Sequence, residues 1–318
     1  MMKKEIKQTT MRGIDPLLGY SYSSGLDISL SNNEVYRDSL IYFGDKDKAK
    51  LTIVILGGST SDINYEGSWL RPFYELLKED VLLISAAMVG YSTSQEVLKL
   101  IRDILPLAPD IVISLNGVND LGFIQCYSPE FPMMHRYQVN TGKFIVDKYG
   151  EKESNREDFF ERKLDVNSQK ISGMNNKLAL GNLILGYRNN LKAYESWFNN
   201  IKISKSICDT FNIEYLSFLQ PIFSAGEYNR AKSEDDIFQE YIFNIHGVPY
   251  DKALEDFYTH AREIVSLNRE FMIDLVDIFK NKESMYSDPR HPNMDGNKLL
   301  AKNIYKNLVN YTIYKKFL

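Results

Sequence analysis

The run Leu51-Thr52-Ile53-Val54-Ile55-Leu56, halted by Gly57-Gly58, constrains this chain more than any other feature. A strand with one wet face alternates apolar and polar residues; this one does not alternate, so both of its faces must be covered. Such a strand belongs in the middle of a parallel sheet lying between two layers of helices. Similar runs recur at Val81 to Ala87, Asp110 to Leu115, Ile213 to Leu219 and Phe271 to Phe279.

Helical spacing fills the intervals. Trp69, Leu70, Phe73, Leu76 and Leu77 mark a helix over Gly67 to Glu79, and Val97, Leu98, Ile101, Ile104 and Leu105 mark another over Ser94 to Leu105, ended by Pro106. A third apolar stripe runs from Leu191 through Trp197 to Phe211, a fourth from Leu254 to Val265, and the last helix is expected over Asp295 to Val309. Strands alternating with helices predict an α/β fold, a five-stranded parallel sheet sandwiched by helices in the flavodoxin-like manner. The rhythm fails from Leu121 to about Arg188, where Lys, Glu, Asn and Asp crowd between Lys143 and Lys177. This segment reads as an insertion after the third strand. The expected organisation is one domain over 1–318, with an N-terminal extension at 1–50 and the insertion at about 121–188.

Composition narrows the partners. Hydrophobic residues at 44% and charged residues at 25% suit a soluble globular protein. A formal charge of −4 gives no reason to expect nucleic acid or an anionic membrane surface. Met1 to Gln8 is basic but no apolar segment follows it, and no apolar stretch is long enough to cross a bilayer, so a cytoplasmic location is expected. The His and Cys residues form no cluster with metal-ligand spacing, so no metal or cofactor is expected. Cys126 and Cys208 read as two buried free thiols rather than a disulfide framework. His135, His246 and His260 read as surface or packing residues.

Open parallel sheets bind ligands in the crevice beyond the carboxyl ends of their strands. The first strand ends in Gly57-Gly58-Ser59-Thr60-Ser61-Asp62, the second in Val89-Gly90-Tyr91 and the third in Gly117-Val118-Asn119-Asp120; the loop after the fifth holds Asp288-Pro289-Arg290-His291. A serine hydroxyl is a poor nucleophile unless a base takes its proton, and histidine titrates in the right range. The imidazole in turn needs an acceptor on its other nitrogen, which Asp288, three residues before His291, can supply. The Ser59 and Gly90 amides and the Asn119 side chain could together receive an oxyanion. Asp62 and Asp120 read as supports for loop geometry. Singly, each motif has a plainer reading: a turn, a glycine in a bend, an Asx-turn, a chance spacing. All four in order, each at its own strand end, carry the reading.

These segments resemble the SGNH, or GDSL-type, hydrolases, whose four sequence blocks contribute Ser, Gly, Asn and His. Ser59 matches the first block, Gly90 the second, Gly117, Asn119 and Asp120 the third, and Asp288 and His291 the fourth, over a span from Leu51 to Leu308. The resemblance implies a serine esterase acting through an acyl-enzyme: catalytic Ser59, Asp288 and His291, and an oxyanion hole of Ser59, Gly90 and Asn119. Many members carry Asp before the nucleophile, where this chain has Gly58. The Gly-Gly-Ser-Thr opening, with Asp15-Pro16-Leu17-Leu18-Gly19-Tyr20 upstream, is similar to a bacterial subgroup associated with surface polysaccharides. A small-molecule or glycan ester is the implied substrate, with small acyl groups on a carbohydrate favoured. An O-acyltransferase on a glycan, in which a sugar hydroxyl resolves the acyl-enzyme, and a catalytically silent glycan-binding or scaffold protein stand as alternatives. Specificity is expected to reside in the 121–188 insertion, with an oligomer contact or a solvated decoration as the other reading of it.

Overall fold

The computed structural model describes residues 12–121 and 193–317, apart from 16, 23–27, 30–33, 38, 64–67, 243, 246–247 and 312. The expected insertion, beyond Leu121, and Cys126 lie outside the described residues.

In chain order, β1 (Arg12–Asp15) and β2 (Gly19–Tyr22) form a hairpin. Next come β3 (Ile28–Ser29), β4 (Glu34–Arg37), β5 (Leu40–Phe43), β6 (Leu51–Gly57), β7 (Val81–Ser85), β8 (Ile111–Asn116) and β9 (Glu214–Leu219). A short pair, β10 (Asn244–Ile245) and β11 (Val248–Pro249), precedes β12 (Met272–Asp274). The main sheet has eight strands in the order β12-β9-β8-β6-β7-β5-β4-β3. From β12 to β7 all neighbours are parallel, which gives the expected five parallel strands, with the Leu51 run flanked by β8 and β7.

The sheet is wider than the five parallel strands: within the N-terminal extension β5 pairs antiparallel with β7, Tyr42 opposite Ile84, and β4 and β3 continue the sheet. Strands of four residues or fewer fall below what periodicity can separate from loop. The fifth parallel strand is also much shorter than Phe271 to Phe279. Asp274 turns its carboxylate onto the Val276 amide (2.8 Å), and the chain winds into a 3-10 turn over Val276–Phe279. Arg262 binds both Asp274 and Asp277, so the polar positions in this run serve an ion pair rather than a ladder.

Helices cover both faces: α1 (Leu70–Tyr74), α2 (Thr93–Lys99), α3 (Ala193–Thr210), α4 (Asp235–Tyr241), α5 (Tyr250–Leu267), α6 (Met294–Tyr311) and α7 (Tyr314–Phe317). Val54, Leu56 and Val112 pack with Trp197, Ile201 and Phe257 of α3 and α5. On the opposite face Ile53, Ile55 and Ile113 pack with Leu70 and Phe73 of α1 and Leu300 and Ile304 of α6. Consecutive residues of β6 thus enter different cores, which is why the run has no polar position to spare. The helix expected through Leu105 is α-helical only to Lys99, then widens into a π-turn (Leu100–Ile104) and tightens into a 3-10 turn (Leu105–Leu107), where Pro106 cannot donate a backbone bond. α1 is shorter than Gly67 to Glu79, and Phe211, counted with the α3 stripe, lies just past that helix and is 57% exposed. No helix among the described residues is long and apolar enough to cross a membrane.

Candidate active site

β6 delivers Ser59 to the carboxyl edge of the sheet through a turn that needs glycine. Gly57 has φ +149°, and a Cβ on it would lie 2.8 Å from Ser61 Oγ and 2.9 Å from the Leu115 carbonyl. Ser61 N donates to Gly58 O (3.1 Å) and Asp62 N to Ser59 O (3.2 Å), closing a 3-10 turn that begins at the serine. Ser59 is left half-buried.

The loop between β12 and α6 brings the other partners from 232 positions away: Ser59 Oγ is 2.6 Å from His291 Nε2. His291 Nδ1 lies 2.8 and 2.7 Å from the two oxygens of Asp288. An ionised carboxylate only accepts, so the proton belongs on Nδ1, and Nε2 is left to accept the serine hydroxyl. Asp288 Oδ1 also accepts the amides of Arg290 (2.8 Å) and His291 (3.0 Å), an Asx-turn that locks carboxylate and imidazole into one unit. Burial pushes the Asp288 carboxyl up, but the hydrogen bond and charge of His291, with those two amides, outweigh it and hold the group below the ordinary aspartate value. Neighbouring elements fix the loop. Gln220, at the end of β9, donates to Arg290 O (2.8 Å), Phe223 N donates to Pro289 O (3.2 Å), and Ser287 N donates to His291 O (3.0 Å).

The second and third strand ends meet at Gly58. Asn119 Nδ2 donates to Tyr91 O (2.9 Å), one residue from Gly90, and its other N–H remains for a ligand. A Cβ on Gly58 would lie 2.3 Å from that same nitrogen and 3.3 Å from Tyr91 O. The Asn119 amide therefore sits in the space where a residue with a side chain, such as the aspartate of many SGNH members, would place its Cβ. Gly90 has φ +80°, and the amides of Ser59 and Gly90 meet no acceptor among the described residues.

Sequence reasoning named Ser59, Gly90, Asn119, Asp288 and His291, and the structure brings Ser59 to His291, Asp288 to His291, and Asn119 to the backbone beside Ser59 and Gly90. It also read Asp62 as a support for loop geometry, and Asp62 does hold the glycine loop, but it did not find the tyrosines that join it there. The buried Asp62 accepts the Val89 amide (3.0 Å) and the Tyr22 hydroxyl (2.6 Å), while Tyr20 OH donates to Val89 O (2.5 Å) and Tyr91 OH to Tyr20 O (2.7 Å). The only signal was the Asp15 to Tyr20 phrase, which carries no periodicity and no chemistry of its own. Gln220 was also missed, although a polar residue just after a strand was the kind of position to inspect.

Behind Asn119 lies a polar cluster in the core. Asp120 Oδ1 accepts the amide of Thr93 (3.1 Å) and the Thr93 hydroxyl; Glu96 Oε2 accepts the Ser114 hydroxyl and Asn116 Nδ2 (3.2 Å); Trp197 Nε1 donates to Asn116 Oδ1 (2.7 Å). Glu96 Oε1 and Asp120 Oδ2 meet no hydrogen-bond partner among the described residues. Burial pushes Glu96 up to about 8, with the Asp120 charge adding to it, and pushes Asp120 up to about 7. Asn119 to Tyr91 and Asp120 to Thr93 are adjacent rungs tying the third strand end to the second.

No family model and no curated protein matches the chain. Among solved structures it is similar to a protein described as lipolytic, of the G-D-S-L family, from Desulfitobacterium hafniense (11% identity, 81% of this chain and 99% of that one, TM-score 0.44). It is also similar to a lipase/acylhydrolase from Enterococcus faecalis (15%, 81% and 95%, TM-score 0.42) and to an acetylxylan esterase from Geobacillus stearothermophilus (10%, 83% and 96%, TM-score 0.43). The chemistry rests on the geometry of Ser59, His291 and Asp288.

Proposed function

We propose that the chain is a serine ester hydrolase that removes small acyl groups from a carbohydrate through an acyl-enzyme on Ser59. The observation that carries this reading is the continuous chain from Ser59 Oγ to His291 Nε2 (2.6 Å) and from His291 Nδ1 to Asp288 (2.7 Å). In the proposed reaction His291 takes the hydroxyl proton as Ser59 Oγ bonds to the ester carbonyl carbon. The imidazolium that forms faces a carboxylate already held in its charged form, so its charge is balanced as it appears. The oxyanion develops toward the Ser59 and Gly90 amides and the unused N–H of Asn119, groups oriented before substrate arrives; one such donor is worth roughly 2.7–4 kcal/mol in other enzymes. His291 returns the proton to the departing alcohol, and water, activated by the same imidazole, releases the acid and regenerates Ser59. The carbohydrate part rests on the Gly-Gly-Ser-Thr opening and its likeness to members associated with surface polysaccharides.

Ser59→Ala is expected to lower kcat on 4-nitrophenyl acetate by roughly 10^4-fold or more, with an unchanged thermal melt. Turnover equal to that of the parent would remove Ser59 from the chemistry.

A further inference from the structure

Arg290 stands between Asp288 and His291, and among the described residues no carboxylate pairs with it. Three other guanidinium groups are neutralised, Arg102 by Asp15 and Asp103, Arg230 by Asp235 and Arg262 by Asp274 and Asp277, while Arg269 is exposed. Nor is Arg290 a loose surface side chain. It is half-buried, its Nε donates to the hydroxyl of Tyr250 (3.2 Å), and its guanidinium carbon lies 5.2 Å from the centre of the Tyr250 ring. Tyr250 opens α5 and is 1% exposed, so the post is rigid. The Arg290 backbone is held at both ends, its amide on Asp288 Oδ1 (2.8 Å) and its carbonyl by Gln220 (2.8 Å).

The charge is therefore posted rather than free. Arg290 directly precedes His291, and its amide and the His291 imidazole meet the same Asp288 carboxylate, so the side chain starts from the flank of the Ser59–His291–Asp288 chain. Fixing a long cationic side chain costs rotamer entropy, and no carboxylate among the described residues offsets it. With Nε engaged, the two terminal nitrogens remain. They form a planar fork that matches two oxygens of a carboxylate or phosphate.

Resting on the esterase reading above, we propose that Arg290 binds an oxyanion group of the substrate, so that the preferred ester is borne by an acidic sugar, not a neutral one. The alcohol half then enters with its anionic group beside Arg290 and its acyl group over Ser59. No bond to Arg290 forms or breaks; it acts through affinity and orientation.

The test uses the full-length protein and four esters: 4-nitrophenyl acetate, an O-acetylated methyl glucoside, the matching O-acetylated glucuronate, and the matching O-acetylated sugar phosphate. The unchanged protein is expected to favour at least one anionic ester over the glucoside by about tenfold or more in kcat/KM, the preference falling with added salt. The two anionic arms tell carboxylate from phosphate. Arg290→Gln should lower the anionic-to-neutral ratio by about ten- to a hundredfold, chiefly through KM, and Arg290→Lys should recover part of it. Equal kcat/KM on all three sugar esters, or a ratio unmoved in Arg290→Gln, overturns the proposal. Competitive inhibition of the unchanged protein by free glucuronate or glucose 6-phosphate, against glucose, repeats the test without a variant; equal inhibition by all three counts against Arg290. Turnover of 4-nitrophenyl acetate separates the two readings. If it is present without anion preference, only the Arg290 proposal falls; if it is absent, the esterase reading falls first.

Discussion

Two sets of acids lie under the same strand ends, and they are kept in opposite states. Asp288 sits in a loop with its side chain 32% exposed, and it receives two amides and an imidazole N–H. Glu96 and Asp120 are 2% and 4% exposed, and each has one oxygen supplied with donors and the other without a partner among the described residues. Desolvation acts on all three. It loses to hydrogen bonding and charge at Asp288 and wins at Glu96 and Asp120. Depth together with the imidazole beside Asp288, rather than the number of partners, separates the charged acid from the two that are pushed up. The loop therefore supplies the negative charge that an imidazolium needs, while the core cluster holds two strand ends in register.

The sharpest way to break this comparison is to neutralise one member of each set. Asp288→Asn is expected to lower kcat by about 10^4-fold, because an amide no longer fixes the Nδ1 tautomer or balances the imidazolium. Glu96→Gln should stay within a few-fold of the parent in the same assay. Comparable losses from both would mean that the core cluster takes part in the chemistry.

Gly58→Ala tests the junction between the two regions without touching a charge. The new Cβ would come within 2.3 Å of Asn119 Nδ2, so the amide must leave its place between Gly58 and Tyr91. A fall in kcat of about 10^2- to 10^3-fold is expected, the cost of one oxyanion donor. An active Gly58→Ala would show that Asn119 contributes little.

The smallest effect is on stability. Glu96 titrates near 8 in the folded chain against 4.5 for the free group, so between those values the folded state binds more protons than the unfolded one. Stability from this site must then fall as pH rises from about 4.5 to 8 and level off above, by on the order of a few kcal/mol. Asp120 adds a fall of the same sign over a window from 3.8 to about 7. Glu96→Gln carries no titrating proton and should flatten much of this slope in urea melts at pH 5, 6.5 and 8. An unchanged slope would show that Glu96 is ionised in the fold.

The central sheet was legible from residues alone because burial on both faces leaves no polar alternation, and a gapless run such as Leu51 to Leu56 has few other uses. The strand-end residues were legible for a related reason: the sheet decides where a ligand can sit, and serine, asparagine and histidine at those few positions are chemically loaded. Tyr20, Tyr22, Gln220 and the Glu96 cluster were not legible, since each acts through a partner far along the chain and leaves no local period. Sequence by itself determined the parallel core, the glycine turn under Ser59 and the pairing of Asp288 with His291, all short-range or periodic properties. Only tertiary structure decided that β3, β4 and β5 extend the sheet, that the Asn119 amide fills the space over Gly58, and that Arg290 is posted on Tyr250. These depend on side-chain volumes and charges meeting across 40 residues for Arg290 and Tyr250 and about 60 for Asn119 and Gly58, or on strands too short to show a period, and no short window along the chain contains them.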